Sequence, residues 1–458
     1  MTHFDIILHL LIIAGFILAI IVASNILRQR RTPAGTIAWL LAIFLIPYLG
    51  IPLYFIFGGR KTRRIAGSKT NIHLPSANII PQEKATMLDM MLRAYKIPGA
   101  TIGNKLDLCN TGEEAYNQLI NLIDEAEKSI LLLTFILAED EIGTEVVKRI
   151  AKRAKEGITV RVLLDGLGSM HTKRDFLQPI VDAGGKIAFF NPVLKSPFHG
   201  RANLRNHRKM LITDEKRVMA GGTNIALEYI GPTPIPDRWK DLSFVLEGPA
   251  VKHYSSIFVS DWEYVTGENL GRLENEFELK GNSTVQIVPS GPDVPGDPMY
   301  DMILTATFSA RKSLWIVTPY FVPDETLEQA LSLAAHRGID LRIIVPEKSN
   351  HRLTDLARGT YLRDIQQAGG NIYLYSKMVH AKTMIVDNMV ASIGSANMDM
   401  RSLFLNYEIS MLTYSYKEIA DTKKWIEKLM MDSKIGVPEI GKLRNIAEGV
   451  VRIIAPLL

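Results

Sequence analysis

Residues 4–27 of this 458-residue chain form an almost unbroken apolar run, FDIILHLLIIAGFILAIIVASNIL, interrupted only by Asp5, His9, Ser24 and Asn25. At about 1.5 Å per residue, such a run is long enough to cross a bilayer as a helix. No Lys or Arg precedes Arg28 and no small-x-small cleavage site stands out, so the run reads as an anchor and not as a removable leader. A second run, Ala34 to Phe57, carries no charge. Pro47, Gly50 and Pro52 fall in its second half, which predicts either a second span kinked there or a segment that dips in and returns. Arg28, Arg30 and Arg31 separate the runs, and Arg60, Lys61, Arg63 and Arg64 follow them. A hairpin would put the two clusters on opposite faces, so charge cannot favour both. The larger second cluster and a start without Lys or Arg predict a multi-pass membrane protein whose remainder is cytoplasmic.

From about residue 105 the pattern becomes strand–helix alternation. SILLLTFIL (129–137) reads as a buried strand, a helix covers Gly143–Lys155, ITVRVLLDG is a strand, a second helix ends at Ala183-Gly184-Gly185, and KIAFF follows. The order recurs: SLWIVTPYF (313–321), a helix over Asp324–His336, IDLRIIVPE, a helix ending at Ala368-Gly369-Gly370, then NIYLY. Ser129 and Ser313 lie 184 positions apart, and Gly184 and Gly369 lie 185 apart. The expected fold class is therefore α/β, a duplicated unit joined near VPSGPDVPGDP. The expected domains are a membrane region at 1–64, a linker at 65–104, and two α/β domains at 105–282 and 283–458, the second ending in an amphipathic segment.

Composition narrows the chemistry. One cysteine, Cys109, excludes a disulfide framework and cysteine-rich metal sites; the ten histidines form no HExxH or His-x-His, and no metal or cofactor is expected. A net charge of +5 favours an anionic partner, either nucleic acid or an acidic membrane surface. The two apolar runs favour the membrane.

Each half then carries one polar constellation. NHRKMLITDEKRVMAGGTN holds His207, Lys209, Asp214, Gly221, Gly222 and Asn224; VHAKTMIVDNMVASIGSAN holds His380, Lys382, Asp387, Gly394, Ser395 and Asn397. Both fit H-x-K-x4-D-x6-G-[GS]-x-N. Strand alternation puts each His and Lys on one face, and the glycine pair lets the backbone come close to another group. A single such motif is worthless; its duplication at matching places is not.

This constellation resembles that of the phospholipase D superfamily, and the chain is similar within it to the bacterial cardiolipin synthases. The likeness includes RTPAGTIAWLLAIFLIPYLGIPLYFIFGGRK, GGTNIALEYIG, RWKDLSFVLEGPAV, PSGPD, PYFVPDE and GSANMDMRSLFLNYE with Asp399, Arg401, Ser402, Asn406 and Glu408. It implies two phospholipase D-like domains related by a pseudo-twofold, with the site at their interface. It implies a phosphatidyltransferase that turns two phosphatidylglycerols into cardiolipin and glycerol through a phosphohistidine, with phosphatidylglycerol and an anionic bilayer as partners, no nucleic acid, and a homo-oligomer left open. The candidate catalytic residues are His207 as nucleophile, His380 as general acid then base, Lys209 and Lys382 as phosphate clamps, and Asp214 and Asp387 in structural or histidine-orienting roles. Asn224 and Asn397 would bind the phosphate, and Glu228 and Glu408 would fix the histidine tautomers from outside the reacting shell. A hydrolytic phospholipase D and a membrane-tethered nuclease are the rival readings.

Two segments add something particular. Gly185 to His207 is 22 positions, against 10 from Gly370 to His380. The extra residues bring Lys195, Phe198, His199, Arg201 and Arg205 near the expected nucleophile, either as a headgroup-binding lip or as an ordinary polar loop. Near the C-terminus Ile440, Leu443, Ile446, Ala447, Val450 and Ile454 fall at helical spacing beside Lys442 and Arg452, which suits an interfacial helix or one packed on the core.

Overall fold

Apolar runs bounded by turn residues become the strands of one sheet. A computed structural model describes residues 3–28, 33–57, 69–75, 79–80, 86–192, 204–271 and 278–454. The first half supplies β1 (Thr101–Cys109), β2 (Ser129–Thr134), β3 (Thr159–Asp165), β4 (Lys186–Phe190), β5 (Met210–Thr213), β6 (Arg217–Gly221) and β7 (Ser243–Glu247). The second supplies β8 (Ser283–Ser290), β9 (Ser313–Val317), β10 (Phe321–Val322), β11 (Asp340–Pro346), β12 (Asn371–Tyr375), β13 (Thr383–Val386), β14 (Val390–Gly394), β15 (Met398–Asp399), β16 (Glu408–Thr413) and β17 (Ser433–Ile435). All but β10 and β15, which pair with each other, form a 15-stranded sheet ordered β17-β12-β11-β9-β13-β14-β16-β8-β1-β7-β6-β5-β2-β3-β4. Outward from the antiparallel β1–β8 pair, one half runs β1, β7, β6, β5, β2, β3, β4 and the other β8, β16, β14, β13, β9, β11, β12. The two series correspond strand for strand, as a duplicated unit requires.

The helices are α1 (His3–Arg28), α2 (Pro33–Leu45), α3 (Pro47–Phe57), α4 (Met87–Ala94), α5 (Gly112–Asp124), α6 (Glu141–Lys155), α7 (Arg174–Asp182), α8 (Val251–Thr266), α9 (Pro298–Ser309), α10 (Glu325–His336), α11 (Arg352–Gln367), α12 (Met400–Phe404), α13 (Tyr416–Met431) and α14 (Lys442–Ile454). The crossover helices α6 and α10 start alike. Asp140 accepts from the Gly143 N–H at 2.8 Å and Asp324 from the Leu327 N–H at 3.1 Å, each satisfying one of the unpaired amides of a helix start. Ile142, Val146, Val147 and Ile150 of α6 then bury against Leu132 and Val162 of β2 and β3.

Two compact units emerge, Met1–Ile65 with Val193–Leu204, and Ala66–Pro192 with Arg205–Leu458; both repeats belong to the second. In the first, the second apolar run is not one long helix. It breaks at Ile46 into α2 and α3, and a Cβ on Gly50 would come within 2.3 Å of the Ala42 carbonyl oxygen, so only glycine permits this close return. At 13 and 11 residues, neither helix reaches the roughly 30 Å of a hydrocarbon core. The α1 backbone is longer, but its side chains are described only at Ile13 and from Gly15 onward; among the described residues no helix is long and apolar enough to cross a membrane. The expected pair of spans is corrected to that extent: the break at Ile46 leaves the second run in two short pieces. Ala19, Val22, Ile26, Ile43, Ile51 and Tyr54 form the core of this unit.

In the second unit Lys69, within the stretch expected as a linker, is 5% exposed. Its ammonium pairs with Asp261 of α8 and with Asp293, which follows β8. Arg208 closes the cluster, reaching Asp261 at 2.9 Å and Asp293 at 3.0 Å. Two cations and two anions thus balance in the interior, as buried charge requires.

Candidate active site

His207 and His380 sit in extended segments just before β5 and β13, where the two halves hydrogen-bond to each other. The His207 N–H donates to the Tyr407 carbonyl at 2.9 Å and the Tyr407 N–H to the Arg205 carbonyl at 2.9 Å. Correspondingly, the His380 N–H donates to the Lys240 carbonyl at 2.7 Å and the Lys240 N–H to the Met378 carbonyl at 2.9 Å. The residue after each bridging partner is an acid, so each half delivers a carboxylate to the other half's histidine. His207 Nδ1 lies 3.0 and 3.1 Å from the Glu408 oxygens and 3.0 Å from the Ser395 carbonyl. His380 Nδ1 lies 2.7 Å from Asp241 Oδ2. A carbonyl and a carboxylate only accept, so Nδ1 carries the proton and Nε2 of His207 presents a lone pair.

The glycine pairs make this approach possible. Gly221 pairs with Ser243 and Gly394 with Ser410, each two residues beyond the acid. A Cβ on Gly222 would meet Asp241 Oδ1 at 2.3 Å, and one on Gly394 would meet the Ile409 carbonyl oxygen at 2.5 Å. Where the second half has Ser395 in place of Gly222, its hydroxyl donates to Glu408 at 2.5 Å, and the Asn406 amide adds a bond at 3.2 Å.

The lysines complete a buried cationic pocket. Lys209 Nζ donates to the His207 carbonyl at 2.7 Å, and Lys382 Nζ donates to the His380 carbonyl while lying 2.8 and 3.0 Å from the two ring nitrogens. Burial pushes Lys209 down to about 7 and Lys382 down to about 8, with the nearby carboxylates opposing. Burial also lowers both histidines: His380 falls to about 3 with Lys382 adding to the shift, and His207 falls although Glu408 opposes it. Burial raises Glu408 and Asp241, but their histidine and lysine partners outweigh it and hold both below the usual carboxylate range. Each histidine also feels the lysine of the other half, which brings the two constellations into one site.

Asn224 and Asn397 are buried beside these groups. Asn397 donates to Ser402 at 3.2 Å, Asn224 interacts with Tyr229, and neither side-chain oxygen has a hydrogen-bond partner.

The family described as "Cardiolipin synthase, PLD-like domain" matches residues 119–262 and 303–430, one segment in each half, and a "Phospholipase_D-nuclease N-terminal" family matches residues 17–59. The chain belongs to the cardiolipin synthase family of the phospholipase D superfamily. It is 34% identical to cardiolipin synthase 1 of Bacillus cereus, covering 94% of this chain and 90% of that one. It is also 34% identical to the major cardiolipin synthase of Bacillus subtilis, covering all of both chains. Among solved structures, a phosphatidylserine synthase from Haemophilus influenzae shares the fold with a TM-score of 0.59 at 15% identity, covering 81% of this chain and all of that one.

Within this cardiolipin synthase-family site, several sequence expectations change. Asp214 and Asp387 do not orient histidines. They lie in left-handed hairpin turns, with φ of 55° and 51°, at the far ends of β5 and β13, roughly 16 Å along the strand from their lysines. Asp214 accepts from the N–H groups of Glu127, Lys128 and Ser129 at 2.9, 2.7 and 2.9 Å; Asp387 accepts from Arg311, Lys312 and Ser313 at 2.7, 2.7 and 2.8 Å. Of the two roles open to them, the geometry supports the structural one, anchoring the starts of β2 and β9.

Glu228 is corrected outright, because it is exposed and only its backbone carbonyl is engaged, by the Trp239 N–H at 2.8 Å. The partner of His380 is Asp241, which the sequence reading missed. The available signal was the shared Asp241-Leu242-Ser243 and Glu408-Ile409-Ser410, displaced by six extra residues after Gly221. Arg205 is not part of a lip: it is 1% exposed, 3.6 Å from Asp165. Lys195, Phe198, His199 and Arg201 lie outside the described residues. Asp241→Asn is expected to lower turnover by about 100-fold or more, because the imidazolium loses its counter-charge and its tautomer lock. Glu228→Gln should match the unsubstituted protein in the same steady-state assay; equal losses in both would overturn the assignment.

Proposed function

We propose that the chain is a phosphatidyltransferase that condenses two phosphatidylglycerols into cardiolipin and glycerol. The observation that carries this reading is the pair of buried histidines, each with Nδ1 held by a carboxylate of the opposite half and with a lysine beside it. His207 Nε2 attacks the phosphorus of one phosphatidylglycerol, a P–N bond forms, and the P–O bond to the headgroup glycerol breaks. His380 gives its proton to that glycerol oxygen. It then takes a proton from the headgroup hydroxyl of a second phosphatidylglycerol, whose oxygen attacks phosphorus, breaks the P–N bond and frees His207. One phosphodiester is exchanged for another, so no nucleotide is consumed.

The surroundings suit each step. Ser395 and Glu408 accept from Nδ1 of His207 and leave Nε2 as the nucleophile. Before lipid arrives, burial and then Lys382 favour the neutral form of His380. The phosphodiester anion offsets the two ammonium groups and raises the affinity of His380 for a proton, which it takes up from water as the lipid binds. Lys209 and Lys382 swing from their carbonyls to the phosphoryl oxygens. A half-turn of the Asn224 or Asn397 amide would let Tyr229 or Ser402 donate to its oxygen and turn its NH2 group to the same phosphate. The histidines are 8% and 4% exposed, which limits the entry of water to the phosphohistidine.

The N-terminal unit supports attachment to the bilayer that holds the substrate. Phe16, Ile17, Ile20, Ile21, Leu41 and Leu45 are all exposed on its helices, a surface water would not tolerate. The basic residues after α3 favour a cytoplasmic catalytic body.

The test is a product analysis with phosphatidylglycerol vesicles and no nucleotide. Cardiolipin with equimolar glycerol is expected. Phosphatidic acid as the main product would make water the acceptor and the chain a phospholipase; cleavage of DNA with no lipid turnover would make it a nuclease.

A further inference from the structure

Helix α14 is mounted inside out. Its one acid, Glu448, is fully buried, where it accepts from Arg363 of α11 and from Arg444 at 3.0 Å. Gly359 makes room for it, since a Cβ there would meet Glu448 Oε2 at 2.5 Å. One turn on, Arg452 reaches Glu328 of α10 at 3.2 Å and lies 4.8 Å from the centre of the Tyr361 ring. The helix is therefore held to the body by its polar face.

Its apolar stripe faces outward. Leu443, Ile446 and Val450, at helical spacing on one side, are 86%, 65% and 59% exposed. A surface helix of a soluble body normally buries such a stripe, so this one is either covered by another partner or set in an apolar medium. The charge pattern chooses between them. With Glu448 turned inward and Arg452 half-buried against Glu328, the charged groups that α14 leaves exposed are Lys442 and Arg444, both basic. An exposed apolar stripe whose own helix adds exposed charge of only the basic kind is the surface that settles into the headgroup boundary of an anionic bilayer.

We propose that the outer face of α14 is a docking surface for an anionic lipid bilayer, a second attachment separate from the N-terminal helices. It deepens the lipid-substrate reading given above and rests on it, but its test does not need turnover. Cys109 is the chain's single cysteine and is buried, so Ile446→Cys can be labelled selectively with an environment-sensitive fluorophore. Met431→Cys, at a position 77% exposed on α13, is the control. With the full chain reconstituted in vesicles of phosphatidylglycerol and phosphatidylcholine, the probe at 446 should shift to the blue and be quenched by spin-labelled lipid, while the probe at 431 should do neither. A probe at 446 as open to a water-soluble quencher as the control overturns the proposal. A blue shift that follows protein concentration and ignores the lipid quencher also overturns it, in favour of a second copy of the chain.

A double substitution, Leu443→Ser with Ile446→Ser, adds a functional readout. Turnover of phosphatidylglycerol in vesicles should fall roughly tenfold while turnover in detergent micelles stays unchanged; equal effects in the two, or no effect, count against docking. A chain that buries the 446 probe in lipid yet makes no cardiolipin would refute the reaction and leave the docking surface standing.

Discussion

Replacing His207 with alanine is expected to reduce cardiolipin formation by about 10^4-fold or more and to leave no phosphorus bound to the protein. The loss is large because the P–N bond forms on His207 Nε2, which Ser395 and Glu408 leave free by holding the Nδ1 proton. His380→Ala should be as inactive on phosphatidylglycerol, for a different reason: glycerol is a poor leaving group and needs the proton. A phosphodiester that releases p-nitrophenolate needs none. With that substrate, His380→Ala should still form a phosphohistidine, which then persists because nothing activates the acceptor hydroxyl. His207→Ala should form none with either substrate. The experiment is a chase with radiolabelled substrate followed by protein precipitation under alkaline conditions, which preserve a P–N bond. Label retained by His207→Ala and absent from His380→Ala would reverse the two roles.

Lys69→Met is expected to destabilise the second unit by about 3–5 kcal/mol, although residue 69 lies in the linker and in neither repeat. The substitution leaves Asp261 and Asp293 buried with Arg208 alone, one uncompensated negative charge in the interior. Asp261→Asn should be costly for the mirror reason. The double variant removes one charge of each sign, so its loss should be clearly smaller than the sum of the single losses. Thermal unfolding of the four proteins in one detergent completes the cycle. Additive losses, or a Lys69→Met loss below about 1 kcal/mol, would mean that the cluster is not the continuous buried network described. Arg208 adjoins His207, so a fall in turnover is expected to accompany the fall in stability.

What the sequence determined about this protein is whatever depends on local periodicity. The strand runs 129–137 and 313–321 contain β2 and β9, and the helices over 143–155 and 324–336 are α6 and α10, because burial and capping write a pattern along a few consecutive residues. The pairing of each His with its Lys on one face follows from the pleat alone. The duplication was legible too, since two copies of one motif in two copies of one unit compare with each other.

What the tertiary structure decided is whatever depends on which segment returns to which. Asp241 became the partner of His380 through the pairing of Gly221 with Ser243 and a bridge between the halves, and six extra residues hid its likeness to Glu408. Asp214 and Asp387 belong to the motif in sequence but not to the site in space, because a strand carries them away from the histidines to the hairpin turn. Helix α14 is the sharpest case. Its spacing marks two faces, yet spacing cannot say which one turns inward; that was fixed by Arg363, Glu328 and the slot at Gly359, which hold the charged face and leave the apolar one outside.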